Sequence, residues 1–455
     1  MLVIISDLHL GDGTTAQSIP PSAFRLFADR LRETATLASW RSDGKYQPIK
    51  ELDLVLMGDI LDPLHSTLWF NPVVGSVEIV RPWSDSSTPD FAAKLLEVTR
   101  AILQENHQAA EVLRRCANGE LVWLPPADGR GQPTASSRER IPLKVRIHYM
   151  VGNHDWYYHL KGKAYDRIRG EIIEQLGLCN PVSLFPHEPE EYPPLKDLLE
   201  RYRVVARHGD QFDKFNFDRE KGRDSATLGD VFTMEVCNRF PVEVQNRYGS
   251  ELPPGIVDSL RRIANIRPVL AAPLWIRGQI GHYADARSLE RDLKRVWDEI
   301  AEEFLQLDFL RQADKAYKFD VVDAMQLIVK ISGRASFSNI NDLAIWVRDR
   351  MSEGQPSFAQ HALLEPDFLV NKARYVVYGH THHHEVIPLD MVNGSDFADS
   401  EVYFNSGTWH SYYDLAIRNP REQKFVPYQS LTYVTFYTND EHEGRHFETW
   451  SGTYA

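Results

Sequence analysis

The chain has 455 residues, of which 43% are hydrophobic and 25% charged, and its net charge is -13 with histidine neutral. That length exceeds one ordinary core and predicts one large α/β domain with a sizeable insertion, or two domains. The apolar content excludes a globally disordered chain, and the negative balance disfavours nucleic acid as a partner unless basic residues are concentrated locally.

Taken in chain order, residues 2–6 form a short apolar, β-branched run that predicts a buried strand. Residues 23–40 carry apolar side chains at three- and four-residue spacing and predict a helix, and residues 52–58 predict a second strand. Residues 64–89 read as a loop excursion with exposed aromatics, Trp69, Phe70 and Trp83. A helical pattern covers 91–116, and a stretch rich in Pro, Gly and Ser at 125–137 reads as a mobile loop. A third strand is expected at 145–152, a helix at 164–176 and a fourth strand at 202–207. This alternation is the rhythm of a mostly buried sheet flanked by helices.

The rhythm breaks after Asp210. From 211 to 371 the chain reads as an all-helical insertion, with amphipathic stretches at 286–309 and 317–331 and with Pro253, Pro254, Pro268 and Pro273 as punctuation. A fifth strand is expected at 374–379, followed by strand patterns at 384–387, 402–405, 431–437 and 446–450. The catalytic domain is thus expected at 1–210 and 372–455, with 211–371 as a helical cap. No internal repeat is present.

Cys116, Cys179 and Cys237 are odd in number, widely spaced and without C-x-x-C, which fits a reducing compartment and rules out a cysteine-based zinc site. No apolar run approaches the roughly 18 residues of a membrane span, and residues 1–5 lack the basic flank of a signal peptide. The expected location is the cytoplasm.

Each of the five strand-like runs ends at residues able to hold a metal. The first gives Asp7-Leu-His9, the second Asp59, the third Asn153, the fourth His208 and the fifth His380-Thr-His382. Sites in open α/β sheets form at the carboxyl ends of strands. In extended chain, residues i and i+2 point the same way. Asp7 and His9 can then converge on one ion, and so can His380 and His382 if the chain stays extended there. Histidine, carboxylate and one amide oxygen suit Mn, Fe or Zn. Seven such ligands exceed the needs of one ion, and one carboxylate can bridge two. A lone Asp after a strand is usually a cap or turn residue. The coincidence of five ligand-bearing strand ends is what argues for a metal centre.

In order, the motifs Asp7-Leu-His9, Gly58-Asp-Ile-Leu-Asp62, Gly152-Asn-His-Asp155, His208-Gly-Asp210 and Gly379-His-Thr-His382 resemble those of the calcineurin-like metallophosphoesterase superfamily. The resemblance covers about residues 1–210 and 372–410. It implies an α/β fold of four layers, an αββα sandwich, here with a large helical insertion. It implies two divalent ions, Mn foremost and Fe or Zn as alternatives. One would be held by Asp7, His9, Asp59 and His382, the other by Asp59, Asn153, His208 and His380. Asn405-Ser-Gly-Thr-Trp409 resembles the short strand and turn that follow the last histidine in this superfamily. The implied activity is hydrolysis of a phosphoester or pyrophosphate bond in a small or nucleotide-type substrate. His154 is not assigned as a ligand and could protonate the leaving oxygen or stabilise the transition state. By the same resemblance Asp62 orients that histidine, with a helix N-cap as its alternative role. Asp155 is expected to have a structural role, capping the following helix or bracing the ligand loop.

Within the superfamily, Ser6-Asp-Leu-His-Leu-Gly11 and His208-Gly-Asp-Gln-Phe-Asp213 look most like the bacterial branch that includes UDP-2,3-diacylglucosamine diphosphatases. That branch is much shorter and has Arg where this chain has His154. Protein Ser/Thr phosphatases carry Arg-Gly after the second motif, where this chain has Pro63-Leu64. A nuclease of the double-strand-break-repair type is the alternative enzyme, although such nucleases show His-Gly-His where this chain has His208-Gly-Asp210. A metal-binding scaffold is the non-enzyme alternative. Trp156-Tyr-Tyr158 could stack on a base or sugar, or pack as a wall. His383 and His384 are expected at the surface or on the substrate side, and residues 273–276 in a helix contact within the insertion. Oligomeric state is left open.

Overall fold

The computed structural model describes residues 1–15, 18–134, 138–267, 271–282, 286–309, 357–391, 400–415 and 425–453. Strands appear where the apolar runs predict them, β1 (Leu2–Ile5), β2 (Leu52–Met57), β5 (Val145–Met150) and β6 (Val204–Ala206), and an unpredicted two-stranded ribbon of β3 (Trp123–Leu124) and β4 (Ile141–Pro142) lies between β2 and β5 in sequence. They are followed by β7 (Ile266–Arg267), β8 (Tyr375–Tyr378), β9 (His384–Met391), β10 (Ser400–Ser406), β11 (Tyr412–Leu415), β12 (Phe425–Tyr428), β13 (Ser430–Phe436) and β14 (Phe447–Thr453). The architecture is mixed α/β with several sheets. A five-stranded sheet runs β14-β13-β1-β2-β5, a four-stranded sheet β6-β8-β10-β9 and a three-stranded sheet β12-β11-β7. In the first sheet β1, β2 and β5 are mutually parallel, and in the second β6, β8 and β10 are.

Residue alternation along the strands explains how these sheets pack. Leu2 and Ile4 of β1, Val55 and Met57 of β2, Val204 of β6, Val377 of β8 and Phe404 of β10 share one buried cluster between the two sheets. Val3, Ile5, Leu54 and Leu56 point the other way, into a larger cluster built with the flanking helices. These are α1 (Pro21–Ala38), α2 (Pro89–Glu105), α3 (His107–Ala117) and α4 (Lys163–Leu176). Val205, Val376, Tyr378 and Tyr403 face outward from the second sheet and are covered by Ala362 and Phe368. Each fully buried aliphatic side chain contributes roughly 1.5–3 kcal/mol. A one-residue slip of β1 would therefore reverse both faces at once.

Local signals set the helix ends. α1 opens on Pro21, whose missing N–H costs nothing in a first turn. α4 closes on Gly177 in the left-handed region. The single helix expected at 91–116 is two. Asn106 interrupts it, and its side-chain amide donates to the carbonyls of Ile102 (2.8 Å) and Gly11 (2.7 Å), tying the break to the loop after His9. Trp69 is buried rather than exposed, with its indole N–H on the Pro63 carbonyl at 2.7 Å. Phe70 and Trp83 pack partly buried on the same apolar cluster.

After α5 (Pro193–Arg201) and β6, the insertion supplies α6 (Leu228–Phe232), a π-helical turn (Thr233–Asn238), α7 (Arg239–Tyr248), α8 (Ile256–Arg261), α9 (Ala272–Ile280) and α10 (Ala286–Gln306). These enclose an apolar cluster of their own that includes Phe232, Phe240, Trp275 and Trp297. The segment is not all-helical, because Ile266 and Arg267 pair in parallel with Tyr413 and Asp414 of β11. Two residues carry no readable strand pattern, and only the distant partner creates the pairing. Pro273, Leu274, Trp275 and Ile276 are buried in α9. The amphipathic stretch expected at 317–331 lies outside the described residues, as do positions 135–137 of the loop expected at 125–137. Among the described residues no helix is long and apolar enough to cross a membrane.

Candidate metal centre

Because β1, β2 and β5 are parallel, their carboxyl ends share one edge, and β6 and β8 end in parallel in the second sheet. The loops leaving them are laced together. Asp7 N–H donates to the Gly58 carbonyl (3.1 Å), His9 N–H to that of Asp59 (2.9 Å), Gly58 N–H to that of Met150 (3.0 Å) and Gly379 N–H to that of His208 (2.9 Å). The chain is not extended at the ligands. Asp7, His9, Asp59, His380 and His382 all adopt positive φ, from 44° to 67°. Left-handed conformations are uncommon for residues with a Cβ and persist where the surroundings over-determine them. They turn side chains of neighbouring positions inward, which replaces the i, i+2 argument.

The donors fall into two groups, Asp7 with His9 and His382, and Asp59 with His208 and His380. His380 and His382 are therefore divided between groups instead of meeting on one ion. In the first group His9 Nε2 lies 3.0 Å from His382 Nε2, and His382 Nε2 lies 3.4 Å from Asp7 Oδ1. In the second, His208 Nε2 lies 3.2 Å from Asp59 Oδ2, and Asn153 Oδ1 lies 3.1 Å from His208 Nε2 and 3.0 Å from His380 Nδ1. Asp59 Oδ2 also stands 3.8 Å from His9 Nε2, so this carboxylate faces both groups. Donor atoms around an ion at about 2.0–2.2 Å are separated by roughly 3.0–3.5 Å. The observed spacings match the edges of such polyhedra, and the donor types suit a divalent transition metal.

Outer partners fix which nitrogen of each ring is free. His9 Nδ1 is 2.8 Å from Asp62 Oδ2, His208 Nδ1 is 3.2 Å from the Met57 carbonyl, and His380 Nε2 is 3.1 Å from Asp213 Oδ2. An ionised carboxylate or a carbonyl only accepts, so each ring donates outward and keeps a lone pair for the centre. Asp62 is a hub. It also meets His154 Nδ1 at 3.1 Å and His65 Nδ1 at 2.6 Å, and Oδ1 accepts from His65 N–H at 3.1 Å. Asp155 braces the loop, accepting from the Tyr149 hydroxyl (2.6 Å) and from the N–H groups of Ile60 (2.9 Å) and Gly152 (2.5 Å). Asn405 donates to the Gly379 carbonyl at 2.8 Å, and Thr408 to that of Asp7 at 2.5 Å, which locks the histidine loop to the first strand end.

Two motif glycines are required by closeness to the donors. A Cβ on Gly58, whose φ is +82°, would sit 2.5 Å from His208 Nδ1. One on Gly152 would collide with Asp59 Oδ1 and sit 2.7 Å from His208 Cδ2. The ligands are thus packed directly on the backbone of the neighbouring strand ends.

The electrostatics show a site that demands positive charge. Burial works against a charged His9, but hydrogen bonds to Asp62 and Asp7 and the charge of Asp59 outweigh it and raise its pKa to about 10. Burial likewise opposes protonation of His208, and the charge and hydrogen bond of Asp59 raise it to about 10. Asp59 is held far below the ordinary carboxylate range, burial being overcome by the charges of His208 and His154. Protons fill the role here that a bound cation would take over, and metal binding would release them.

The structure brings together Asp7, His9, Asp59, Asn153, His208, His380 and His382, with His154 and Asp62 beside them. Trp156, Tyr157 and Tyr158 are buried and serve as packing. His383 is exposed with Tyr412 at 3.2 Å, and His384 bonds the Asn405 carbonyl at 2.9 Å, so neither joins the donor groups. Three participants draw no role from the sequence, although Asp213 closes the motif His208-Gly-Asp-Gln-Phe-Asp213. His65 meets Asp62 from three residues on, Asp213 reaches His380 from the start of the insertion, and His410 stacks edge-on to His9 with ring centroids 6.1 Å apart. Burial, followed by the charge of His9, lowers the pKa of His410 to about 4. His410 also lines a cavity of about 870 Å³ shared with Thr15, Arg262 and Tyr413. The chain matches no protein-family model and no curated protein sequence.

Proposed function

We propose that the chain is a binuclear-metal phosphoesterase of the calcineurin-like type, acting on a small or nucleotide-type phosphoester or pyrophosphate in the cytoplasm. The observation that carries this reading is the pair of donor groups at the ends of parallel strands, with Asp59 of the second facing His9 of the first at 3.8 Å. The two sheets with a common apolar interlayer and helices outside support the four-layer sandwich of that superfamily. Asp7, His9, Asp59 and His382 would hold one ion, and Asp59, Asn153, His208 and His380 the other, with Mn first in expectation and Fe or Zn next. Two such ions supply Lewis acidity and a water acidic enough to attack phosphorus at neutral pH.

The chain's own residues do the rest. His154 donates Nδ1–H to Asp62 and its backbone N–H to Asp59 Oδ1 at 2.8 Å, which sets its ring beside His9, with ring centroids 4.7 Å apart. Burial opposes its protonation, but the charges of Asp62 and Asp59 raise its pKa. A protonated His154 can give the Nε2 proton to the departing oxygen. The insertion supplies Asp213 to His380 and, through Arg262, part of the cavity that begins at His410. That position suits a wall which selects substrates by shape.

The test is metal analysis together with a substrate panel. Wild type saturated with Mn should carry two ions and hydrolyse an aryl phosphodiester, and Asp59→Asn should lose both properties. Nucleotide diphosphates, cyclic nucleotides and single- and double-stranded DNA then rank the substrate classes. A metal-replete protein inert on every member would leave a metal-binding scaffold, and preference for DNA would establish a nuclease.

A further inference from the structure

A second meeting of imidazoles and carboxylates lies apart from the centre, where the first loop of the insertion returns to the core. His159 closes a short 3₁₀ turn, Trp156–His159, and His187 sits between α4 and α5. Asp224 lies in the loop that precedes α6. His159 Nδ1 is 2.7 Å from Asp224 Oδ1, and His187 Nε2 is 2.9 Å from the same oxygen. The two ring centroids are 4.4 Å apart. Glu191 Oε2 stands 3.4 Å from the far nitrogen of His159 and accepts the His187 backbone N–H at 2.9 Å. Two imidazole nitrogens and one carboxylate oxygen thus converge on one point, with a second carboxylate behind one ring. All three donors satisfy the mutual spacing of a metal-binding group.

We propose that His159, His187 and Asp224 form a further divalent-cation site of zinc class, which fastens the loop entering the insertion to the core. Zinc takes imidazole nitrogen at about 2.0–2.1 Å and carboxylate oxygen at about 2.0–2.2 Å, so the contacts need to open by only about half an ångström. Glu191 has the place of the carboxylate that orients a ligating histidine through its other nitrogen. The His187 side chain is 4% exposed and that of Asp224 42%, which leaves one side open for the ion and a water. Arg223 is clamped between Glu188 and Asp210, so the loop bearing Asp224 is already held against the core beside His208. The alternative is a purely hydrogen-bonded cluster in which Asp224 accepts from both rings.

The experiment uses the full chain, stripped by chelation, reloaded with Zn²⁺ alone, desalted and assayed for metal content. Asp224→Asn should bind about one equivalent less than wild type. The same difference should separate Asp59→Asn from the Asp59→Asn, Asp224→Asn double variant, which makes the result independent of the strand-end centre. Co²⁺ loading should show a tetrahedral absorption band that Asp224→Asn loses. Should a buried change such as His187→Gln fail to fold, Asp224→Asn still decides, because its carboxylate is at the surface. Equal zinc content in both pairs would overturn the proposal and leave a hydrogen-bonded cluster only.

Discussion

Replacing Asp62 by asparagine separates its orienting role from its capping role. Oδ2 accepts from Nδ1 of His9 (2.8 Å), His65 (2.6 Å) and His154 (3.1 Å), and Oδ1 accepts the His65 N–H (3.1 Å). Asparagine caps a turn as well as aspartate does, so the cap survives. The three imidazoles fare differently. If the amide nitrogen replaces Oδ2, it has two N–H donors, and any ring it meets must accept through Nδ1 and carry its proton on Nε2. His9 Nε2 is the atom that faces His382, Asp7 and Asp59, and with a proton it cannot ligate. If the amide oxygen stays instead, it is uncharged and holds the three donors less strongly than the carboxylate oxygen does. Loss of such an orienting partner costs about 10–100-fold in metal affinity, or roughly 1.4–2.7 kcal/mol. Only the ion beside His9 should suffer, since none of Asn153, His208 and His380 has a hydrogen bond to Asp62. Calorimetric titration of the stripped protein with Mn should show one weakened site and one retained. Turnover should fall further than metal loss explains, because His154 is released as well. Unchanged affinity at both sites, with unchanged turnover, would refute the assignment of Asp62 as the hub.

His154→Ala should lower kcat on the order of 10²- to 10⁴-fold with metal content intact, and the loss should shrink for nitrophenolate esters; a uniform loss would assign the ring to charge stabilisation alone. His9→Ala should mainly reduce occupancy of one ion, and equal loss of both in metal analysis would contradict the division of donors. Gly152→Ala forces a methyl group onto Asp59 and His208, so it should cost roughly 1–3 kcal/mol in denaturant melts and deplete both ions; a folded, fully loaded variant would contradict the packing. Burial opposes a charged His159, but hydrogen bonds to Asp224 and Glu191 raise its pKa from 6.5 to about 9. In chelated protein this contribution is complete below about pH 6.5 and disappears as pH rises through about 9. The gap in Tm between wild type and His159→Gln should therefore close across that window, and a constant gap would exclude the ion pair.

Much of the centre was legible because it is local. Each donor follows an apolar run within a few residues, and the β-branched content that makes β1, β2 and β5 buried strands also dictates where they end. Asp7, His9, Asp59, Asn153, His208, His380 and His382 could thus be singled out before any contact was known. The glycines before Asp59 and Asn153 were visible too, although their reason, a Cβ striking His208, was not.

What only the tertiary structure decided is relational. The i, i+2 geometry of Gly379-His-Thr-His382 would bring its two rings to one ion, and only the resemblance divides them; the structural reason is left-handed backbone at both residues, sustained by Asn405 and Asp7 from other strands. His65 and His410 join the site by approach in space, and a histidine in a loop looks the same in sequence whether or not it does; Asp213 stands in the motif that begins at His208, but its partner His380 did not follow from it. From sequence Trp69 is expected exposed and Trp156–Tyr158 are left open, because burial depends on what covers a ring, and here helices α2 and α4 complete the cover. β7 exists only because β11, about 150 residues later, offers it an edge. A chain segment carries its own propensity and chemistry, but pairing, cover and shared ligands belong to two segments at once, and they appear only when folding has brought both to the same place.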